Sequence, residues 1–238
     1  IRTVGKEKVY DGTPLTSHEY ELLNSTSAAP GETIEITYSG SQTDAGGSEN
    51  TVSSVKVKKN GTSDPVVYTT DNYNINVTEG TLTVNPKPLT AGDITINQSV
   101  WEYTGNDIEP EYTVSKVLIA DSSAVSLTEG RDYTITTDSV KKASSVGTYV
   151  IKAQGCGNFS GDCQVTYEIK DTTEAYISGI MDGGRYCIKA DIVVTDPNLK
   201  EVVVKKGSDI VASFNSFENG TLSYTISGSN ADEAGSQY

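Results

Sequence analysis

Two stretches of this chain repeat one another at the distance of a small domain. "KVYDGTPL" (8–15) aligns with "WEYTGNDI" (101–108), so Tyr10 and Tyr103, like Gly12 and Gly105, lie 93 residues apart. Downstream, "DNYNINVTEGTLTV" (71–84) parallels "CGNFSGDCQVTYEI" (156–169), each an Asn- and Gly-rich turn leading into an alternating segment. A period of about 85–95 residues is that of a small β-sandwich, and it is too long for a solenoid repeat. The segments between alternate with period two, as half-buried strands do: "ETIEITYS" (32–39), "SSVKVKK" (53–59), "PVVYTT" (65–70), "RDYTITT" (131–137) and "GTYVIKAQ" (147–154).

Composition agrees with several small cores in place of one large one. Among 238 residues there are three Phe, one Trp and one Met, but fourteen Tyr, whose rings suit half-buried sheet faces with a wet hydroxyl. "NPKPLTAGD" (85–93) carries two prolines that cannot donate to a sheet ladder, and it marks a first boundary near residue 87. "KDTTEA" (170–175) marks a second. Modules at 1–87, 88–170 and 171–238 follow. In the third, "IKADIVVTD" (188–196) places Ile188, Ala190, Ile192 and Val194 on one face, "LKEVVVKKGSDIVASF" reads as a hairpin turning at Gly207, and "GTLSYTIS" (220–227) as a further strand. This module is shorter than the others and is expected to lack its last strand or two. The chain reads as a piece of a larger precursor, since Ile1 is not a natural start.

These segments carry a resemblance. "KVYDGTPLT", "TDAGGSENTV" and "NYNINVTEGTLTVNPKP" resemble the MBG-type bacterial Ig-like repeat of Gram-positive surface proteins. "YTGNDIEP", "LTEGRDYTI" and "SVGTYVIKAQGCGNFSG" are similar to a second, Big-type repeat, and "ISGIMDGGRYC…DIVVTDPNLKEVVVKKG" to modules that often follow them. The resemblance implies an all-β chain of tandem immunoglobulin-like sandwiches set end to end with small contacts between them. It also implies an extracellular or wall-attached protein in which such modules form stalks, spacers or adhesive arms.

The net charge of −14 argues against nucleic acid, which calls for clustered Lys and Arg, and the acidity is spread as −4, −5 and −5 over the modules. No apolar run is long enough to span a membrane. The partner class is an unnamed host or cell-wall ligand, protein or glycan, and the segment is read as a monomer.

Chemistry-bearing residues are sparse. The one histidine, His18, has no Ser or Cys motif beside it and reads as a strand or turn residue. Carboxylates are scattered over separate modules, and no phosphate loop, dinucleotide fingerprint or zinc motif is present, so no enzyme is expected. "DNYNINVTEG" offers Asp71, Asn72, Asn74, Asn76 and Glu79, but a strand cannot wrap its side chains around one ion. The stretch reads as a closing hairpin with Ile75, Val77, Leu82 and Val84 inward and its turn at Glu79–Gly80. No cofactor is called; structural calcium is a minor option between modules, near Asp93 or Asp171. Glycan stacking on Trp101 and Tyr103 is the functional rival, although alternation puts both on one face of an opening strand, where a core role is the simpler reading. That rival makes the segment a carbohydrate-binding accessory of a secreted glycan-active enzyme.

Cys156 and Cys163 bracket a presumed hairpin and are a disulfide candidate, leaving Cys187 as a free, buried thiol. Lys8 facing Asn74 or Asn76 is a further candidate, for an isopeptide cross-link. Six N-x-S/T triplets, at Asn24, Asn60, Asn76, Asn97, Asn158 and Asn219, read as turn and surface chemistry.

Overall fold

A computed structural model describes residues 1–23, 27–61, 66–119, 122–180 and 189–227. Cys187, Ile188, Asn24 and the tail from 228 lie outside the described residues, and with them the expectations of a third thiol and a missing last strand. Among the described residues the protein is all-β, with single-turn 3-10 segments that include Thr70–Asn72 and Ala91–Asp93, and no α-helix. The chain divides into two compact units. One comprises Ile1–Thr95, Tyr112–Ser139 and Ile151–Val165; the other comprises Ile96–Glu111, Val140–Val150 and Thr166–Tyr238.

In chain order the strands are β1 (Arg2–Thr3), β2 (Lys6–Val9), β3 (Tyr20–Glu21), β4 (Glu32–Tyr38), β5 (Gly46–Glu49), β6 (Val52–Lys59) and β7 (Thr81–Asn85). There follow β8 (Lys87–Pro88), β9 (Ile94–Ile96), β10 (Val100–Glu102), β11 (Tyr112–Lys116), β12 (Val125–Ser126), β13 (Tyr133–Ile135), β14 (Gly147–Gly155), β15 (Phe159–Ser160) and β16 (Asp162–Lys170). The last five are β17 (Tyr176–Ser178), β18 (Lys189–Thr195), β19 (Val202–Lys206), β20 (Asp209–Phe214) and β21 (Thr221–Ser227).

In the first unit β4 and β6 run antiparallel, pairing Ile34 with Val57 and Ile36 with Val55 on the inner face. Opposite charges also face one another across the pair, Glu32 against Lys59 on the face of Ile34 and Glu35 against Lys56 on the other face, and they favour this register. The second sheet has the order β2-β7-β5, with β7 parallel to β2 and antiparallel to β5. Leu82 and Val84 point from β7 into a core with Leu15, against which Tyr10 packs. Both are fully buried, as the alternation of this segment predicts.

The rest of "DNYNINVTEG" departs from a hairpin. Residues 76–80 lie alongside the amino terminus: Thr78 N–H donates to Ile1 O (2.9 Å), and Thr3 N–H donates back to Thr78 O (3.0 Å). Arg2 and Thr78 form a parallel bridge. The backbone therefore runs on through Glu79–Gly80 into β7 without turning back, and Val77 is exposed. Period-two patterning assigns faces but cannot tell a reversal from a change of partner, so the turn residues misled the reading. "PVVYTT" likewise forms no strand among its described residues beyond one bridge from Tyr68 to Lys58, and Val66, Val67 and Tyr68 are exposed.

A jog separates the β1 and β2 pairings of this closing segment, and glycines make it possible. A Cβ on Gly80 would come within 2.3 Å of Thr3 O, and one on Gly5 within 2.5 Å of Thr81 O. The buried Thr3 and Asn50 tie the spot together. Thr3 Oγ1 donates to Asn50 O (2.8 Å) and accepts from Gly80 N–H (2.9 Å), while Asn50 Nδ2 donates to Val4 O (2.9 Å). Backbone groups exposed by the change of partner are satisfied by side chains.

The linker is the second departure. Prolines in "NPKPL" suggested an unpaired connection, yet β8 pairs in parallel with β15 of the next repeat. Lys87 N–H donates to Asn158 O (2.9 Å) and Leu89 N–H to Ser160 O (2.7 Å). Pro86 and Pro88 occupy the alternate positions, whose missing N–H would face away from β15. An edge strand accepts proline on that side.

In the second unit β10 runs parallel to β16, pairing Val100 with Glu168, Trp101 with Ile169 and Glu102 with Lys170. The rings of Tyr149 and Tyr167 lie 5.3 Å apart, and Tyr167 and Ile169 on β16 are fully buried. The third sequence module contributes the sheet β17-β18-β21 and the hairpin β19-β20, closed at Gly207 with φ of 59°. Ile192, Val204 and Ile226 form its core, with Phe214 and Tyr224 packed against them. The alternation of β18 reads correctly, Ala190, Ile192 and Val194 all being buried.

Candidate functional site

The most site-like feature is a cavity of about 360 Å³ inside the first unit. Its floor is the inner face of β4 and β6, where Ile34, Val55 and Val57 stand in register. The segment 73–76 crosses it, placing Tyr73 and Ile75 toward the floor and Asn74 and Asn76 at the margin. Leu22, Ser27 and Ala28 complete the wall. The volume falls in the range of small-ligand pockets, which are largely apolar with a few polar groups.

One polar cluster stands at its edge. The Tyr73 hydroxyl donates to the Glu32 carboxylate and accepts from Ala29 N–H (2.8 Å), while Thr69 Oγ1 donates to the other Glu32 oxygen (2.7 Å). The bonds from Tyr73 and Thr69 hold the Glu32 carboxyl below its ordinary value, and the carboxylate in turn raises Tyr73. Both oxygens of Glu32 are thus engaged in pinning the 69–73 loop to β4. The lowered pKa is the reverse of the raised one that suits a general base at neutral pH.

The remaining candidates lie apart. His18 is exposed and stacks on Tyr38 at 5.2 Å, with no nucleophile bonded to it. Trp101 in β10 and Tyr103 just beyond it are both half-buried, and the indole N–H donates to Gln98 O (3.2 Å). No group of three or more His, Cys, Asp and Glu side chains suited to a metal occurs among the described residues. Asp93, a calcium candidate, accepts from Thr90 N–H (2.6 Å) and Thr90 Oγ1 (2.9 Å) and pairs with Lys116 Nζ (2.5 Å). Burial pushes its carboxyl up, but Lys116 and Thr90 outweigh this and hold it low, so a lysine ammonium stands where a cation would. Asp171 keeps one buried oxygen without a partner.

Neither covalent expectation is seen in the structure. Cys156 and Cys163 are both free thiols. Gly155 N–H bonds Gly161 O (2.8 Å), which sets the turn so that Cys156 lies within the loop and Cys163 further along β16. The Cys156 thiol reaches the Arg131 carbonyl (3.4 Å), whereas Cys163 faces the core and burial raises its pKa. The loop between them is occupied by β15, so the flanks are not a simple cross-strand pair. Lys8 does not face Asn74 or Asn76. Its Nζ is held by Asp11 Oδ1 (2.7 Å), Thr13 O (2.5 Å) and Thr13 Oγ1 (2.8 Å).

Sequence reasoning missed Asn158, which joins the two repeats of the first unit. Its Nδ2 donates to Asp44 Oδ1 (2.9 Å), its Oδ1 accepts from Ala45 N–H (2.6 Å), and its backbone oxygen accepts from Lys87. Lys87 Nζ reaches Leu118 O (2.8 Å) across the same junction. The only sequence signal was a turn asparagine in "CGNFSGD", a type common on any surface.

Compared with known families, curated proteins and solved structures, the chain matches no family model, no curated protein and no solved structure.

Proposed function

We propose that this chain is a non-catalytic segment of an extracellular bacterial surface protein, made of tandem immunoglobulin-like sandwiches and serving as a spacer, stalk or adhesive arm. The observation that carries the reading is the junction in the first unit. A linker hydrogen-bonded as β8 to β15, and braced by Asn158 on Asp44 and Ala45, transmits orientation from one module to the next. A free tether would leave those backbone groups to water. The test displays a reporter binding domain on an encapsulated cell, either directly on its anchor or on the full chain. Reporter capture of a particle-bound ligand only with the chain in place is the expected result. Equal capture from both overturns the spacer role.

A second reading, glycan binding, draws on the cavity crossed by Tyr73, Asn74 and Asn76. Saturable binding of an oligosaccharide by the full chain, lost in Asn74→Ala with unchanged thermal unfolding, would favour it over the spacer.

A further inference from the structure

We infer that the first module is a shear lock, in which the opening and closing strands hold tension applied along the chain. The inference rests on the spacer reading for its purpose, and on strand direction for its mechanism. Neighbouring strands of a hairpin are antiparallel, so pulling on their outer ends peels the backbone bonds one after another. Parallel strands behave differently. The chain enters one at one end of the ladder and leaves the other at the opposite end, so tension runs along the ladder and loads its bonds together.

The first module has this arrangement over its whole opening segment. Thr78 N–H to Ile1 O (2.9 Å) and Thr3 N–H to Thr78 O (3.0 Å) begin the ladder. The pairs Lys6–Leu82, Glu7–Thr83, Lys8–Val84 and Val9–Asn85 continue it, and Tyr10 N–H to Asn85 O (2.8 Å) closes it. At the jog, Gly80 N–H is held by Thr3 Oγ1, so the ladder has no loose rung between its two parts. Leu82 and Val84 are fully buried beneath it, so sliding would also drag apolar side chains out of a packed core.

The second unit carries a ladder of the same sense. Glu168 N–H to Ser99 O (2.9 Å), the β10–β16 pairs, and Tyr103 N–H to Lys170 O (2.7 Å) form it. Glu102 then accepts from Thr172 N–H (2.9 Å), Thr172 Oγ1 (2.6 Å) and Thr173 Oγ1 (3.0 Å), tying down the chain just beyond its exit. By contrast, β17–β18 and β18–β21 are antiparallel throughout.

Single-molecule pulling on the full chain tests this, because forced unfolding reports the barrier along the direction of pull. Handles at residues 1 and 238 load the ladder lengthwise. Bioorthogonal handles at Val9 and Asn85, which are opposite one another and both exposed, pull it open sideways. Released contour length, at about 3.3–3.6 Å per residue, assigns the rupture to the first module. The expected result is a rupture force roughly twofold or more higher end to end than across 9 and 85, since many bonds share the load instead of one. Thr78→Pro, at an exposed position, removes one rung and should lower the end-to-end force while the 9/85 force stays within error. Equal forces in the two geometries overturn the lock and leave the spacer reading standing. A failed display experiment removes the spacer reading and leaves the force difference intact.

Discussion

The ring of Tyr10 meets the ring of Phe159 edge-on, with centroids 5.7 Å apart and planes inclined by 77°. Tyr10 follows β2 in the first repeat, and Phe159 begins β15 in the second, so this contact crosses the junction that β8 and Asn158 also bridge. Phe159 is buried while Tyr10 is half-buried against Leu15, Leu82 and Val84. Phe159→Ala should destabilise the first unit by about 3–5 kcal/mol. A double-mutant cycle with Tyr10→Leu should return a coupling of about 0.5–1.5 kcal/mol beyond the separate losses. Denaturant titration measures both, and strictly additive losses would show that the rings merely adjoin.

Two glycines give opposite expectations for the same substitution. At Gly80 an added methyl meets Thr3 O at 2.3 Å and Gly5 N at 2.6 Å, both backbone atoms that can yield only by moving strands. Gly80→Ala should cost about 3 kcal/mol or more, through forced separation of β1 from the closing segment. Gly92 has nothing within 4 Å and lies in a short 3-10 turn, so Gly92→Ala should be neutral or add about 0.4–1 kcal/mol by restricting the unfolded chain. Thermal unfolding of the pair, side by side, decides the point.

Acid should weaken the fold in a defined window. Bonds from Lys8 and Thr13 hold Asp11 down to about 2, and bonds from Lys152 and Thr136 hold Asp138 at about 2, against an ordinary 3.8. A carboxyl depressed in the folded state contributes stability above its unfolded pKa and loses it as pH falls through the folded one. The melting temperature should therefore decline between about pH 4 and pH 2. Asp11→Asn and Asp138→Asn should each flatten that decline. Both carboxylates are near the surface, so salt should flatten it as well.

Thiol reactivity distinguishes the two cysteines. Cys163 is 2 % exposed and its thiol is raised by burial, whereas Cys156 is only half-buried. Brief alkylation of the native protein should modify Cys156 well ahead of Cys163, and denaturation without reductant should free both. Peptide mass spectrometry reads the order. A Cys156–Cys163 disulfide peptide would overturn the geometry of the β14–β16 turn.

Much of the fold was legible because side-chain alternation reports burial directly. Leu82 and Val84, Tyr167 and Ile169, and Ala190, Ile192 and Val194 all face inward as their spacing requires. Gly12 and Gly105, matched in the repeat comparison, both adopt positive φ, 80° and 75°, where a turn calls for glycine. What alternation cannot report is the partner strand. Nothing local in "KEKV" says that it pairs in parallel with "TLTVN" some seventy-odd residues on, and nothing in "KP" says that it is a strand at all. The cavity eluded the reading for the converse reason. Asn74 and Asn76 were read as outward-facing, and both are exposed, but Tyr73 and Ile75 beside them span a gap above β4 and β6 that only packing reveals.

The strand character of the linker restricts how it can change in length. Because Lys87 and Leu89 donate to β15 while Pro86 and Pro88 face away, the donors recur at every second residue. Inserting one residue between them would turn a proline toward β15 and send Leu89 from the core to solvent. Inserting two would preserve both patterns. Descendants of this chain should therefore gain or lose residues at 86–89 in even numbers, so that the junction mutates by parity where a flexible tether would drift one residue at a time.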